Sequence, residues 1–167
     1  AVKGAVATNE VNAAMGIICA TPTAGSSGTI PGVLFKLEKT HDLTEDQMID
    51  FLFTSALFGR VVANNASVAG ATGGCQAEVG SASAMAAAAS VAIFNGTPEQ
   101  SGHAMALAIS NLLGLVCDPV AGLVEIPCVM RNAIGSGNAL ISADLALAGV
   151  ESRIPEDEVI GAMDRAV

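Results

Sequence analysis

The sequence predicts an all-α fold: a compact bundle of short and medium helices, with Gly- and Pro-rich loops carrying cysteines. Three observations predict it. Apolar residues recur at helical spacing through Met48, Ile49, Phe51, Leu52, Ala56 and Leu57. Two Thr-x-x-Gln strings, Thr44/Gln47 and Thr97/Gln100, fit capping boxes, in which each partner satisfies an orphan backbone N–H at a helix start. No run of alternating β-branched residues marks a strand.

The elements follow in order. Ala5 to Ala20 reads as a helix of small apolar residues with Asn9, Glu10 and Asn12 among them. Thr21 to Gly32 is dense in Thr, Ser, Gly and Pro and reads as a loop. Thr44 opens a helix that fades over Arg60 to Asn65, and Ala66 to Gly74 is small and Gly-rich. An alanine-rich helix runs from about Gln76 to Phe94 and stops at Asn95-Gly96. Thr97 caps the next, with Pro98 in its first position, and it ends near Gly114. Asp118-Pro119 restarts a short helix or a turn. Pro127 to Gly149 is mostly helical, with a break expected around Gly135-Ser136-Gly137. Pro155-Glu156-Asp157-Glu158 forms an acidic first turn that suits the dipole of a last helix. Nothing divides residues 1–167, so they read as a single helical domain. The absence of an initiator Met, and a helix running into Ala166-Val167, fit a piece of a longer chain.

Composition narrows the function. A chain of 167 residues can bury a real core, yet it has five Phe, no Tyr and no Trp, so its helices must pack on small side chains. A net charge of -9 argues against nucleic acid and anionic membrane surfaces as partners. Val79 to Pro98 carries no charge, but its serines, asparagine and glycines suit a buried helix better than a membrane span. With no apolar leader at the start, a reducing, cytoplasmic setting is expected, where cysteines serve metals, catalysis or packing rather than disulfides.

Three of the four cysteines sit among Gly, Pro or Asp. Cys75 lies in Gly-Gly-Cys-Gln-Ala-Glu-Val-Gly, Cys117 in Gly-Leu-Val-Cys-Asp-Pro-Val-Ala-Gly and Cys128 in Glu-Ile-Pro-Cys-Val-Met-Arg-Asn-Ala. Turns and helix starts expose backbone N–H groups that favour a thiolate. No C-x-x-C pair is present, so spacing alone leaves both a metal centre and buried packing residues open.

These strings, with Ala-Thr-Asn-Glu-Val-Asn-Ala-Ala-Met-Gly and Pro-Thr-Ala-Gly-Ser-Ser-Gly-Thr-Ile-Pro-Gly, resemble the α chain or α domain of the iron–sulfur-dependent bacterial L-serine dehydratases. The resemblance covers essentially the whole chain. It implies a helical catalytic domain and a [4Fe–4S] cluster held by Cys75, Cys117 and Cys128. The implied reaction converts L-serine to pyruvate and ammonia. A β chain or β domain and an oligomeric assembly are implied as well. The family's α chain extends beyond both ends, so this stretch alone is expected to be inactive and isolated without its cluster. Cys19, outside the family's motif, is expected to be a small buried residue.

The remaining chemistry is less sharply marked. The Ser26-Ser27-Gly28 loop offers hydroxyl and N–H groups to a substrate carboxylate, or is an ordinary solvated turn. Arg131 and Asn132 suit a carboxylate clamp, or Arg131 pairs with Asp118 or Glu125 and steadies the cysteine loop. Glu78, in an apolar stretch, needs a partner or a shifted pKa, and is a candidate to orient the Cys75 loop. His41 and His103 read as surface or core residues, and no catalytic base stands out. Three rival readings remain: a related iron–sulfur lyase for another β-substituted amino acid, a non-catalytic, metal-stabilised helical domain, and a metal-free helical module whose cysteines are core residues.

Overall fold

The computed structural model describes residues 1–123 and 125–166. Its helices are α1 (Val2–Ala13), α2 (Thr29–His41), α3 (Glu45–Asn65), α4 (Gly70–Cys75), α5 (Ser81–Ile93), α6 (Pro98–Ser110), α7 (Glu125–Leu147) and α8 (Glu156–Arg165). A stretch of π-type turns, Gln76–Gly80, joins α4 to α5. The all-α prediction holds.

Helix α5 is the axis of the molecule, with α2, α3, α6 and α7 packed around it. From Ser81 to Val91 every residue is buried, and most are Ala or Ser. Small side chains let neighbouring backbones approach closely, which replaces aromatic filler. The serines do not strand their hydroxyls: Ser90 donates to the Ala86 carbonyl at 2.7 Å and Ser83 to the Gly135 carbonyl at 2.9 Å. The charge-free stretch is thus a core helix. Among the described residues, no helix is long and apolar enough to cross a membrane.

Both capping boxes form. Thr44 Oγ1 accepts from Gln47 N while Gln47 Oε1 accepts from Thr44 N, and Thr97 and Gln100 repeat the pattern. Other boundaries moved for identifiable reasons. Helix α1 stops at Ala13, because Met15 turns left-handed (φ 62°) and Gly16 N donates back to the Val11 carbonyl. Helix α2 starts inside the expected loop: Thr29 to Gly32 form its first turn, where Pro31 is tolerated since that N–H has no helical partner. Helix α7 runs unbroken through Gly135-Ser136-Gly137. A Cβ at Gly135 would stand 2.7 Å from Val79 Cγ1, so this glycine serves close packing on the π turns. Asp118-Pro119 starts no helix. They lead into a two-residue turn at Ala121 and Gly122, both with positive φ, closed by hydrogen bonds between Val120 and Leu123. The last helix begins after Pro155 as expected and ends at Arg165; Val167 lies outside the described residues.

A candidate metal centre

The turn that carries Cys75 is built by Gly74, whose backbone (φ 72°, ψ -178°) interrupts α4. A side chain there would be strained, and its Cβ would meet the Leu115 carbonyl oxygen at 2.9 Å. Beyond it, Gln76 N donates to that same oxygen at 2.8 Å, and Gln76 Oε1 accepts from Gly114 N at 2.9 Å. The Cys75 turn is therefore stitched to the segment leading to Cys117. Cys75 itself precedes the π turns at the start of the long buried helical run, where the helix dipole favours a thiolate.

Cys128 lies in the first turn of α7. Both cysteines are buried, at 2% and 5% exposure. Their sulfurs and a Glu78 carboxylate oxygen all lie within 4.8 Å of one another. The group could hold a metal ion.

Polar neighbours aim each donor. Arg131 Nη1 donates to Cys75 Sγ at 2.9 Å and to the Val116 carbonyl at 2.8 Å, and pairs with Asp118 Oδ1 at 2.6 Å. Thr23 Oγ1 donates to Glu78 Oε1. The Glu78 carboxylate occupies space left by two glycines: a Cβ at Gly25 would stand 2.7 Å from Oε1, and one at Gly70 would collide with Oε2. Asn132, fully buried, accepts from Gly28 N and Thr29 Oγ1, each at 3.0 Å. Its Nδ2 donates to the carbonyls of Gly25 at 2.7 Å and Cys128 at 2.8 Å. Asn132 thus locks the serine loop onto α7, with no donor to spare for a substrate.

The electrostatics follow from this packing. The neighbouring Cys128 thiol, as a donor, and then the Arg131 guanidinium hold Cys75 down at about 6, against burial and the Glu78 charge. The Cys75 thiolate, with burial, pushes Cys128 up. Burial works against the Arg131 charge, but Cys75 and Asp118 outweigh it and raise its pKa.

The other expected residues are placed as follows. Cys117 is exposed and stands outside the Cys75–Glu78–Cys128 group, lining a small cavity beside the Cys75 turn with Gly74, Gln76 and Val116. Ser26 Oγ is engaged within its own loop, donating to the Thr21 carbonyl at 3.2 Å and lying 3.0 Å from Thr23 Oγ1. Gly28 N is taken by Asn132. Ser27 is buried with no partner for its hydroxyl, and lines an apolar cavity with Ile17, Cys19, Thr21 and Ile30. Cys19 is exposed rather than buried, because α1 ends before it and leaves it on an irregular segment. His41 is exposed and packs edge-on against Phe94, with ring centroids 4.8 Å apart. Asn9 and Asn12 donate to the Gly25 and Ala24 carbonyls, holding the serine loop against α1. Sequence reasoning missed Thr23 and the paired glycines around Glu78. The one signal for Thr23 and Gly25 was membership of the Pro-Thr-Ala-Gly-Ser-Ser-Gly string, and for Gly70 its place in the small, Gly-rich stretch before Cys75.

Fold and site together define an all-helical fold with a buried thiol–carboxylate group on a glycine turn that could hold a metal ion. The chain belongs to the serine dehydratase alpha chain family, whose model matches residues 1–166. It is 69% identical over 163 residues to the "Probable L-serine dehydratase, alpha chain" of Bacillus subtilis, covering 98% of this chain and 54% of that protein. A protein of the same name from Latilactobacillus sakei is also 69% identical over 163 residues, 98% of this chain and 78% of the relative. The "L-serine dehydratase" of Mycobacterium bovis is 44% identical over 164 residues, 95% of this chain and 36% of that protein. The chain thus spans about half the length of the first of these relatives and just over a third of the last.

Proposed function

We propose that this chain is the thiol-bearing catalytic part of an L-serine dehydratase, a lyase that eliminates water from L-serine to give pyruvate and ammonia. The single observation that carries the reading is the burial of Cys75 and Cys128 side by side with Glu78, in a chain similar to proteins named for that reaction. Cys75, Cys117 and Cys128 would hold a [4Fe–4S] cluster. The donor set fits: two adjacent buried thiols, one favoured as thiolate by Arg131, and a third on the loop that Arg131 already grips through Val116 and Asp118. When bound, a cluster with three protein thiolates supplies an iron that acts as a Lewis acid on the otherwise poor hydroxyl leaving group.

The chain's own residues do the rest. Arg131 offsets the negative charge of the thiolates and holds the Cys117 loop against the Cys75 turn. The loop of Ser26, Ser27 and Gly28 is fixed beside Glu78 by Thr23 and Asn132; with Ser26 Oγ and Gly28 N engaged in that framework, we assign the substrate carboxylate to Arg131. The alpha-chain name of its relatives supports a β portion as partner within an oligomer. So does the exposed face of Ile126, Met130, Ile134 and Ile141 along α7, an apolar ridge of the kind a partner covers. A reducing cytoplasm suits such a thiol centre.

The test is anaerobic reconstitution of the chain with iron and sulfide, followed by spectroscopy with and without L-serine. The expected result is a cluster signal that shifts with L-serine and is lost in Cys75→Ala. A folded chain that takes up no cluster, or a cluster indifferent to L-serine, would overturn the proposal.

A further inference from the structure

The three donor atoms lie close enough for a single ion to gather them with a small adjustment of side chains. A four-coordinate ion with bonds of about 2.0–2.3 Å keeps its donors roughly 3.3–3.8 Å apart. The sulfurs of Cys75 and Cys128 and the Glu78 oxygen all fall within 4.8 Å of one another, while Cys117 stands outside the group and is exposed. We infer that Cys75, Glu78 and Cys128 bind one divalent cation of borderline softness, Zn2+ or Fe2+, without Cys117 and without inorganic sulfide. The inference takes its residues from the reading above but does not depend on the reaction.

Four features support it. Two thiolates with a carboxylate match zinc and ferrous iron better than magnesium or calcium, which prefer all-oxygen sites. The charge favours a cation: two thiolates, Glu78 and the Asp118 carboxylate on Arg131 together outweigh the Arg131 guanidinium, and a divalent ion offsets most of the excess. The donors are already oriented from behind, Cys75 by Arg131, Glu78 by Thr23 and the Cys128 backbone by Asn132, as ligand-supporting residues do in metal sites. Finally, Gly25 and Gly70 leave room for the Glu78 carboxylate where any side chain would displace it. On binding, the Cys128 thiol proton and any proton left on Cys75 pass to solvent as the metal–sulfur bonds form. A fourth position stays open to water. This site would take the first iron to arrive, and zinc seated there would block cluster assembly.

The probe is anaerobic titration with Co2+, free of sulfide, reading thiolate-to-cobalt charge transfer in wild type, Cys117→Ser and Glu78→Gln. Zinc is then added in competition. Wild type and Cys117→Ser should each bind one ion per chain with the same spectrum, whereas Glu78→Gln should bind on the order of tenfold more weakly. X-ray absorption at the zinc edge of the wild-type chain should count two sulfurs, whatever the variants do to folding. Loss of binding in Cys117→Ser, a Glu78→Gln chain that binds like wild type, or three or more sulfurs on zinc would each overturn the inference. Iron–sulfide reconstitution of the same samples separates the two readings. A wild-type chain that binds cobalt but builds no cluster overturns the proposed function alone. One that builds a cluster but refuses cobalt overturns this inference alone.

Discussion

A thiol beside a guanidinium and a second thiol is easier to deprotonate than one in water, and burial alone would act the other way. At Cys75 the hydrogen-bond donors win, and its pKa falls to about 6. In the metal-free chain, the ultraviolet thiolate absorbance that disappears in Cys75→Ser should therefore titrate with a midpoint near 6. A midpoint at the ordinary thiol value of about 8.5 would contradict that placement of Arg131 and Cys128. The sign for folding follows: because the folded pKa lies below the unfolded one, this thiolate stabilises the fold fully above the ordinary thiol value. That contribution is lost as pH falls through about 6. Gly25 offers a second residue-scale check. An added Cβ would meet Glu78 Oε1 at 2.7 Å, and the far end of a flexible side chain can move away. Gly25→Ala should cost about 1 kcal/mol or less in a thermal melt, yet weaken metal binding in a cobalt titration, because Glu78 leaves Thr23. That Cys75 and Cys128 are candidate ligands was legible in the sequence from their Gly and Pro neighbours. That Glu78 faces them was not, since its partner Thr23 is 55 positions away and the contact exists only after folding.

At the scale of elements, the centre depends on a helix interrupted at one residue. Gly74 takes a positive φ that an L side chain adopts only under strain, and the Leu115 carbonyl stands where its Cβ would be. Gly74→Ala should destabilise the chain by about 1–3 kcal/mol in chemical denaturation, and should loosen Cys75 from the 114–117 segment. A variant as stable as wild type would show that the turn is not under this constraint. The helix starts at Thr44 and Thr97 were readable because capping is local, confined to four residues. The unbroken course of α7 was not. Gly135 and Gly137 look like breakers in isolation, but tertiary packing on Val79 turns Gly135 into a requirement for close approach. Asn138 then adds bonds to Ser83 Oγ and the Ala108 carbonyl, each at 2.9 Å, that hold α5, α6 and α7 together. The start of α2 was hidden in the same way, since Pro31 reads as a breaker until it is seen in a first turn.

At the scale of the molecule, the core is set by how closely small residues let helices approach α5. Ala86, Ala87, Ala88 and Ala89 are all fully buried, which leaves no room for larger side chains on any face. Ala88→Leu should cost about 1–3 kcal/mol by overpacking, measured as a lower midpoint in urea. If the helices yielded without loss of stability, the core would be looser than its burial implies. The same economy explains why the scarcity of aromatics did not prevent a core, and why an alanine-rich, charge-free stretch lies inside the bundle.

By itself the sequence determined what depends on near neighbours: the all-α class, the capped helix starts and the cysteine turns. It also carried the motif strings that resemble the serine dehydratase family. Tertiary structure alone decided that Cys75 and Cys128 meet Glu78 while Cys117 stays outside, that Asn132 is consumed in fixing the serine loop, and that Cys19 is exposed. The reason is physical. Capping and turn chemistry act over a few residues, whereas the meeting of side chains from distant segments depends on the packing of whole helices around α5.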